Sequence, residues 1–210
     1  MEPRDVDQAG AEIPAGDHRN DPPQAKRLDA ESLKAIAHPL RMRLLGLLRR
    51  YGADTATGLG RRVGESSGTT SYHLRRLARH GFVEEDAGRG NGRDRWWRAV
   101  HRSTVWDATQ FDADPGAAEA LDVFGHVRLE SQSTLVRTWL ETRREWPAAW
   151  REAAGEDDYV LHLDAEQLAA LAADLRATVE RYVATPPGPG AERVSVVLYA
   201  IPERTPEGER

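Results

Sequence analysis

The stretch Ser66–Val100 reads SSGTTSYHLRRLARHGFVEEDAGRGNGRDRWWRAV, and it decides the fold of this chain. Two serines that can cap a helix are followed by apolar residues at helical spacing, and the run closes at Gly81. Two short segments of β-compatible composition come next, Phe82–Glu85 and Arg95–Val100, on either side of a tip rich in glycine and arginine. The stretch therefore predicts a helix followed by a β-hairpin.

The sequence before this stretch predicts three further helices. Asp29 can cap the first, and Pro39 stands where the first turn of a second helix tolerates proline. The second helix carries one apolar stripe, formed by Leu40, Leu44, Leu47 and Leu48. Thr57 is the predicted cap of a short third helix, which Gly64 ends. A short helix, a tight glycine turn and a second helix have the spacing of a helix-turn-helix.

Positive charge is concentrated in the middle of an acidic chain. Between Pro39 and Arg98 there are 13 arginines and 6 acidic residues, a net charge of +7, whereas the whole chain carries −5. A basic domain of this kind neutralises nucleic-acid phosphates, and such contacts supply most of the non-specific affinity for DNA. A solvated, arginine-rich surface has the same composition, so the charge alone leaves both interpretations open.

The helix that starts at Ser66 has a polar face opposite its apolar face. Small hydroxyl side chains near a helix start allow close approach to base edges, and arginines further along can hold phosphates. The polar face comprises Thr69, Tyr72, Arg76 and Arg79, with Ser67 at the start and His73 and Arg75 at the flanks. An ordinary solvated helix shows such a face too. The adjoining hairpin tip, with Arg89 and Arg93 placed to reach the minor groove or the backbone, favours a DNA-binding wing.

Acidic residues are unexpected in the first strand of such a wing. Glu84, Glu85 and Asp86 either set the orientation of the wing by pairing with Arg95 or Arg98, or limit non-specific binding. Arg95 is counted among the candidate DNA contacts.

The runs LKAIAHPLRMRLLGLL and TSYHLRRLARHGFVEE, with the arginine-rich hairpin, resemble the winged helix-turn-helix of ArsR-type bacterial repressors. The resemblance covers Leu28 to Arg102. It implies a homodimeric repressor that binds double-stranded DNA at a two-fold symmetric operator. The positions that this family uses for DNA are here Ser67, Thr69, Ser71, Tyr72 and His73. Family members that sense metals through cysteines on the preceding helix have no counterpart here, because Thr57–Gly64 holds neither Cys nor His.

The whole chain is expected to be mainly α, of the α+β class, and to comprise five segments. A winged helix-turn-helix domain is followed by a connector with a long dimerisation helix and by a small α+β unit, between disordered ends. The segments are 1–27 (disordered arm), 28–102 (winged helix-turn-helix), 103–154 (connector and long helix), 155–201 (strand–helix–strand) and 202–210 (disordered tail).

The C-terminal half begins with one long predicted helix, Ala117–Trp146, which carries a broad apolar face. In the resembled family terminal helices build the dimer, and packing of the helix on its own chain is the alternative. Tyr159–Leu163 and Arg193–Ile201 predict strands on either side of a helix that Asp164 opens with a capping box. We expect this unit to be either an effector module or an enlarged dimer interface.

Two further side-chain groups in this half are candidate ligand sites. A small organic effector would suit an apolar pocket lined by four tryptophans, Trp106, Trp139, Trp146 and Trp150, although plain core packing explains them too. Asp122, His126 and Glu130 recur at four-residue intervals and offer ligands to a divalent ion, although such rows are common on solvated helices. A metal-responsive repressor that uses this row is therefore a rival hypothesis.

Several classes of protein are excluded by what the sequence lacks. With no cysteine there are no disulfides, thiolate metal sites or cysteine nucleophiles. No nucleophile with a base, phosphate-binding loop or carboxylate pair is recognisable, so we predict no enzymatic activity and no cofactor. The absence of a signal-like or ~18-residue apolar run predicts a cytoplasmic protein without a membrane partner. The remaining rival is a winged-helix module that binds a protein partner instead of DNA.

Overall fold

The structure, a computed structural model, describes residues 25–89 and 95–203. The predicted arm and tail lie largely outside these residues, and so does Arg93 in the hairpin tip. The chain divides into two compact units, with the boundary between Ser131 and Gln132. Among the described residues, no helix has the length and apolar character needed to cross a membrane.

The first unit contains the predicted helices and hairpin together with three strands that the sequence did not indicate. In chain order its elements are β1 (Ala25–Arg27), α1 (Ala30–Ile36), α2 (Pro39–Tyr51), β2 (Asp54–Thr55), α3 (Ala56–Val63), α4 (Ser67–Arg79), β3 (Val83–Glu85), β4 (Trp96–Ala99) and β5 (Ser103–Val105). A 3-10 turn at Thr109–Phe111 leads to the long helix α5 (Pro115–Thr142), which continues past the unit boundary. The helix-turn-helix is α3 and α4, and the wing is the hairpin β3–β4.

Side-chain caps fix where the helices of this unit begin. Asp29 caps α1 as predicted, in a reciprocal box where the Ser32 N–H donates to Asp29 Oδ1 at 2.8 Å and the Asp29 N–H donates to Ser32 Oγ at 3.0 Å. A cap of this kind contributes about 1 kcal/mol. The predicted cap of α3 was wrong by two residues: Thr55, not Thr57, accepts the Gly58 N–H at 3.0 Å.

The wing lies in a three-stranded antiparallel sheet of order β2-β4-β3. The register places Glu84 opposite Arg98 and Glu85 opposite Trp97. Because neighbours along a strand alternate between faces, Trp97 turns inward and is buried while Arg98 is exposed. The predicted hairpin is thus confirmed, and β2, the two residues before α3, anchors it to the helix-turn-helix.

Residues 25–27 were assigned to the disordered arm, but they form a strand. This strand, β1, pairs in parallel with β5, and the Leu28 N–H then donates to the Val105 carbonyl oxygen at 2.9 Å. A three-residue strand has too few positions to show an alternating pattern, so no sequence signal was available. The pairing closes the N-terminal end of the domain onto the segment that leads to α5.

One apolar core joins the helices and strands of this unit. Its largest fully buried side chains are Phe82, Phe111, Leu28, Leu33, Leu44, Leu45, Leu59, Leu74 and Leu77. Full burial of one such side chain stabilises a fold by about 1.5–3 kcal/mol. Phe124 of α5 also belongs to this core, so the start of the long helix packs on its own domain.

Arg49 links α2 to β5 and to the turn before β5 by side-chain hydrogen bonds. Its Nε donates to the His101 carbonyl oxygen at 2.9 Å, and its Nη2 donates to the Ser103 carbonyl oxygen and to Thr104 Oγ1, both at 2.9 Å. Burial lowers the pKa of Arg49 to about 10, so the side chain stays charged at neutral pH.

The second unit is helical where it has regular structure. It holds the end of α5, a 3-10 turn at Arg143–Glu145, α6 (Ala148–Ala153) and α7 (Ala165–Val183). Asp164 caps α7 in the predicted box with Gln167. The two predicted strands at Tyr159–Leu163 and Arg193–Ile201 are not formed, so the strand–helix–strand unit is reduced to its helix.

In the part of the chain that the structure describes, the two segments predicted as strands lack a neighbouring strand with which to pair. Isolated strands need a paired neighbour to satisfy their backbone groups, and neither segment has one among the described residues. Their apolar side chains consequently face solvent, with Tyr159 80 % exposed and Ile201 71 % exposed.

Candidate nucleic-acid interface

Helix α4 has one face in the core and one face in solvent. Ser66 caps the helix by accepting the Thr69 N–H at 3.0 Å, and the Ser66 and Thr69 hydroxyls lie 2.9 Å apart. Thr70, Leu74 and Leu77 are buried. Six of the predicted DNA contacts on α4 reach solvent: Ser67, Tyr72, Arg75 and Arg76 are exposed, and Thr69 and Ser71 are partly exposed. Tyr72 is the most prominent apolar group on this face, at 62 % exposure.

His73 was expected beside these residues, but it is buried at 9 % exposure. Its ring lies against His38, the residue that precedes α2, with 4.7 Å between ring centroids. Position 73 follows Thr70 by three residues and precedes Leu77 by four, so helical periodicity places it with the core. The sequence contains this periodicity, but the polarity of histidine led to the prediction that His73 lies on the solvent face.

A polar cleft of about 360 Å³ lies between the start of α3, the solvent face of α4 and the wing. It is lined by Thr55, Ala56, Thr57, Ser67, Ser71, Arg75, Arg95 and Trp97. The Arg75 side chain is held against its own helix, because its Nε donates to the Ser71 carbonyl oxygen at 3.1 Å. Two guanidinium groups and the positive end of α3 place positive charge around this cleft.

Thr57 is the cleft residue that sequence reasoning missed as a functional candidate. It was assigned to the cap of α3, and once Thr55 takes that role Thr57 becomes an exposed hydroxyl in the first turn. Only the exact helix start, which sequence patterns fix to within a few residues, would have revealed it.

Every arginine in the described part of the wing is paired with a carboxylate. Arg98 Nη2 lies 2.6 Å from Glu84 Oε1, and Arg95 Nη1 lies 3.0 Å from Glu85 Oε1. At the tip, Arg89 Nε lies 3.6 Å from Asp86 Oδ2. The predicted pairing of the wing acids with Arg95 and Arg98 is therefore present. Exposed pairs of this kind contribute only about 0–1 kcal/mol, so a phosphate can replace the carboxylate.

The four tryptophans of the predicted effector pocket fall in two different units. Trp106 lies in the first unit, edge-to-face with Phe124 at 5.1 Å and beneath the Arg128 guanidinium at 4.5 Å. In the second unit, Trp146 and Trp150 are in contact, with 5.7 Å between ring centroids. Trp139, also in the second unit, donates from Nε1 to Glu156 Oε1 at 2.7 Å.

The predicted metal-binding row is exposed on α5. His126 Nδ1 lies 2.8 Å from the Asp122 carbonyl oxygen, one turn back in the same helix. Within residues 25–89 and 95–203, no group of three or more His, Cys, Asp or Glu side chains is arranged to hold a metal ion.

Residues 36–86 match the family model of a helix-turn-helix domain. They span α2, α3, α4 and the first strand of the wing. No protein of curated function matches the chain.

Several solved structures are similar over part of the chain. A crystal structure of a possible transcriptional regulator for arsenical resistance is 28 % identical over 51 % of this chain and 95 % of that one, with a TM-score of 0.30. A homodimeric winged helix-turn-helix domain from Mycobacterium bovis, described as a possible ArsR-family regulator, is 22 % identical over 54 % and 82 %, with a TM-score of 0.31. Apo MarR from E. coli is 16 % identical over 71 % and 88 %, with a TM-score of 0.29. At such scores these likenesses carry no argument about assembly or effector.

The assignment rests instead on the family match and on the geometry of the chain itself. A capped helix α4, a preceding short helix that ends at Gly64 and an arginine-bearing hairpin are all present within one core. This chain accordingly carries a winged helix-turn-helix domain.

Proposed function

We propose that this chain is a cytoplasmic, homodimeric repressor that binds a two-fold symmetric operator in double-stranded DNA. Helix α4 enters the major groove, and the wing lies along the adjacent backbone or minor groove. The observation that carries the proposal is the cleft between α3, α4 and the wing, where hydroxyl groups and two arginines converge on one exposed surface. In this proposal the domain acts as a regulator and not as an enzyme.

The side chains around the cleft divide into two roles by their chemistry. Ser67, Ser71 and Tyr72 are short or amphipathic groups on the exposed face of α4, suited to reading base edges. Arg75 and Arg95 are long cations at the rim, suited to phosphates, which fix register without reading sequence.

The C-terminal half supports the dimer part of the proposal through its exposed apolar side chains. On α5 they include Val136 and Leu140, at 49 % and 47 % exposure, and on α7 Leu175 and Val183, at 36 % and 43 %. Exposed apolar side chains also occur on segments 159–163 and 194–201, and apolar surface of this extent marks a contact surface. A second copy covers it in the proposed dimer, and the Trp146–Trp150 pair offers apolar surface for a small organic effector.

A fluorescence anisotropy titration with duplexes from the chain's own promoter region tests the proposal. The expected result is tighter binding to one duplex than to a scrambled duplex of equal length, with affinity that falls as salt rises. Binding that ignores sequence or salt would refute it. Sedimentation of the same sample reports whether a dimer is formed.

A second function is favoured by the paired wing arginines, which are already neutralised by carboxylates. In this alternative the domain binds a protein partner and not DNA. Recovery of a defined protein partner, together with failure to bind any promoter duplex at 50 mM salt, would support it; sequence-selective DNA binding would exclude it.

A further inference from the structure

A second group of basic side chains lies outside the cleft, where the start of α2 meets α4. It consists of His38, Arg41, His73 and Arg76, and we call it the α2 cluster. His38 caps α2, since its Nδ1 accepts the Leu40 N–H at 3.1 Å. Neither His38 nor Arg41 is among the predicted DNA contacts, and the cleft residues do not include any member of the cluster.

Two polar atoms of the α2 cluster are buried without a partner. Arg41, at the third position of α2, has a buried Nε that makes no hydrogen bond, while its Nη2 lies 3.4 Å from the Lys34 carbonyl oxygen. His73 is buried at 9 % exposure, lies against the capping His38, and has an Nδ1 without a partner. A buried polar group without a partner costs about 1–3 kcal/mol, so its presence calls for a ligand or another explanation.

The cluster also lacks a compensating negative charge. Among the described residues, neither Arg41 nor Arg76 forms an ion pair with a carboxylate. Burial lowers the pKa of Arg41, and repulsion from the positive charge of the neighbouring Arg76 lowers it further. Glu65 is the one acidic group that acts on His73, and burial outweighs it. An anion placed here relieves this repulsion and meets the positive end of α2.

From these observations we infer that the α2 cluster binds a backbone phosphate of DNA, a contact separate from the cleft and the wing. Arg76 stands on the exposed face of α4 and Arg41 at the start of α2, so a strand that passes α4 meets both. The phosphate oxygens accept from the Arg41 and Arg76 guanidinium groups. His73 lies behind them, with its ring against that of the capping His38. The inference rests on the proposed function, because the phosphate is that of the bound duplex.

The test compares Arg41→Gln with Arg43→Gln in the full chain, by anisotropy between 50 and 200 mM salt. Two positions along a helix point about 200° apart, so Arg43 is an exposed arginine on the other side of α2 and a matched control. Arg41→Gln is expected to weaken binding to promoter and scrambled duplexes alike, by about 5- to 10-fold at 50 mM salt. It should also reduce the slope of log affinity against log salt by about 1, the effect of one lost phosphate contact.

A phosphate ethylation experiment keeps the inference testable if Arg41→Gln melts at a lower temperature than the wild type. Ethylation of the contacted phosphate weakens binding by the wild type but affects Arg76→Gln, which changes an exposed member of the same cluster, less at that position. If the wild type binds DNA while Arg41→Gln and Arg43→Gln share its affinity and slope, the inference is wrong and the proposed function stands. If the wild type binds no duplex, the proposed function itself has failed.

Discussion

The imidazole rings of His38 and His73 lie 4.7 Å apart, tilted by 41°, where the start of α2 meets α4. Burial is the first cause that lowers the pKa of each histidine, and Arg41 lowers both further. For His38 the neutral form is also required by geometry, because only an unprotonated Nδ1 can accept the Leu40 N–H. Both rings are therefore neutral in the native domain at neutral pH.

This pair makes the stability of the domain depend on pH. A histidine whose folded pKa lies below its unfolded value of about 6.5 binds protons more readily when unfolded, so the free energy of unfolding falls as pH drops from there toward the folded pKa. Each pKa unit between the two states corresponds to about 1.4 kcal/mol. Burial lowers the pKa of His80 and His101 too, in the same direction.

Urea unfolding at pH 5.5 and 7.5 measures this loss. His38→Asn should reduce the pH dependence while preserving the cap, because asparagine is a good N-cap and does not titrate. His162→Gln, at an exposed position of the second unit, is the control. Equal pH dependence in wild type and His38→Asn would refute the role of His38.

The close packing of α3 against the start of α4 predicts opposite effects for two glycine-to-alanine substitutions. A Cβ added at Gly60 would lie 2.7 Å from the Glu65 carbonyl oxygen and 3.1 Å from Thr70 Oγ1, whereas one at Gly46 meets nothing within 4 Å. Gly46→Ala should stabilise the domain by about 0.5–1 kcal/mol through helix propensity. Gly60→Ala should destabilise it by about 1–3 kcal/mol, because backbone must shift. The midpoint of urea unfolding measures both effects. An equal increase in stability in both variants would show that α3 can accommodate a Cβ at position 60.

Sequence patterns correctly predicted the features that depend on residue types close together in the chain. The cap of α1 at Asp29, the end of α3 at Gly64 with φ of 76° and the hairpin all follow from residue types at fixed spacing. The burial of the Arg41 Nε depends on how α2 packs on its neighbours, and no local pattern carries that information. The strands predicted at Tyr159–Leu163 and Arg193–Ile201 have suitable composition, but a strand exists only where a neighbour pairs with it.

Substitutions on the exposed face of α4 and at the wing tip should affect DNA binding differently. Ser71→Ala and Tyr72→Ala are expected to lower the ratio of operator to scrambled-duplex affinity by about 5- to 100-fold, because they remove contacts to base edges. Arg89→Ala should weaken both duplexes equally and reduce the salt slope by about 1. Anisotropy titrations on both duplexes measure this. If all three variants lowered both affinities by the same factor, the division between α4 and the wing would be wrong.

His73 belongs in a separate class, since the structure buries it behind that face. His73→Ala should lower the free energy of unfolding while leaving the ratio of operator to scrambled-duplex affinity unchanged in the folded fraction. If His73→Ala had wild-type stability but a changed ratio of operator to scrambled-duplex affinity, His73 would instead contact bases.

The ion pairs of the wing predict that one carboxylate restrains non-specific binding. Glu85 Oε1 holds Arg95 Nη1 at 3.0 Å, and Arg95 lines the cleft proposed for DNA. Glu85→Gln removes the competing charge, so affinity for a scrambled duplex should rise about 2- to 5-fold at 50 mM salt and approach the wild-type value at 300 mM, where screening is stronger. The free energy of unfolding should change by less than about 1 kcal/mol, because both side chains are exposed.

Glu119→Gln removes the same charge from an exposed position on α5 and separates this local effect from that of net charge. An equal rise in both variants would show that Glu85 acts only through the net charge of the chain, and no rise in either would show that Arg95 makes no phosphate contact.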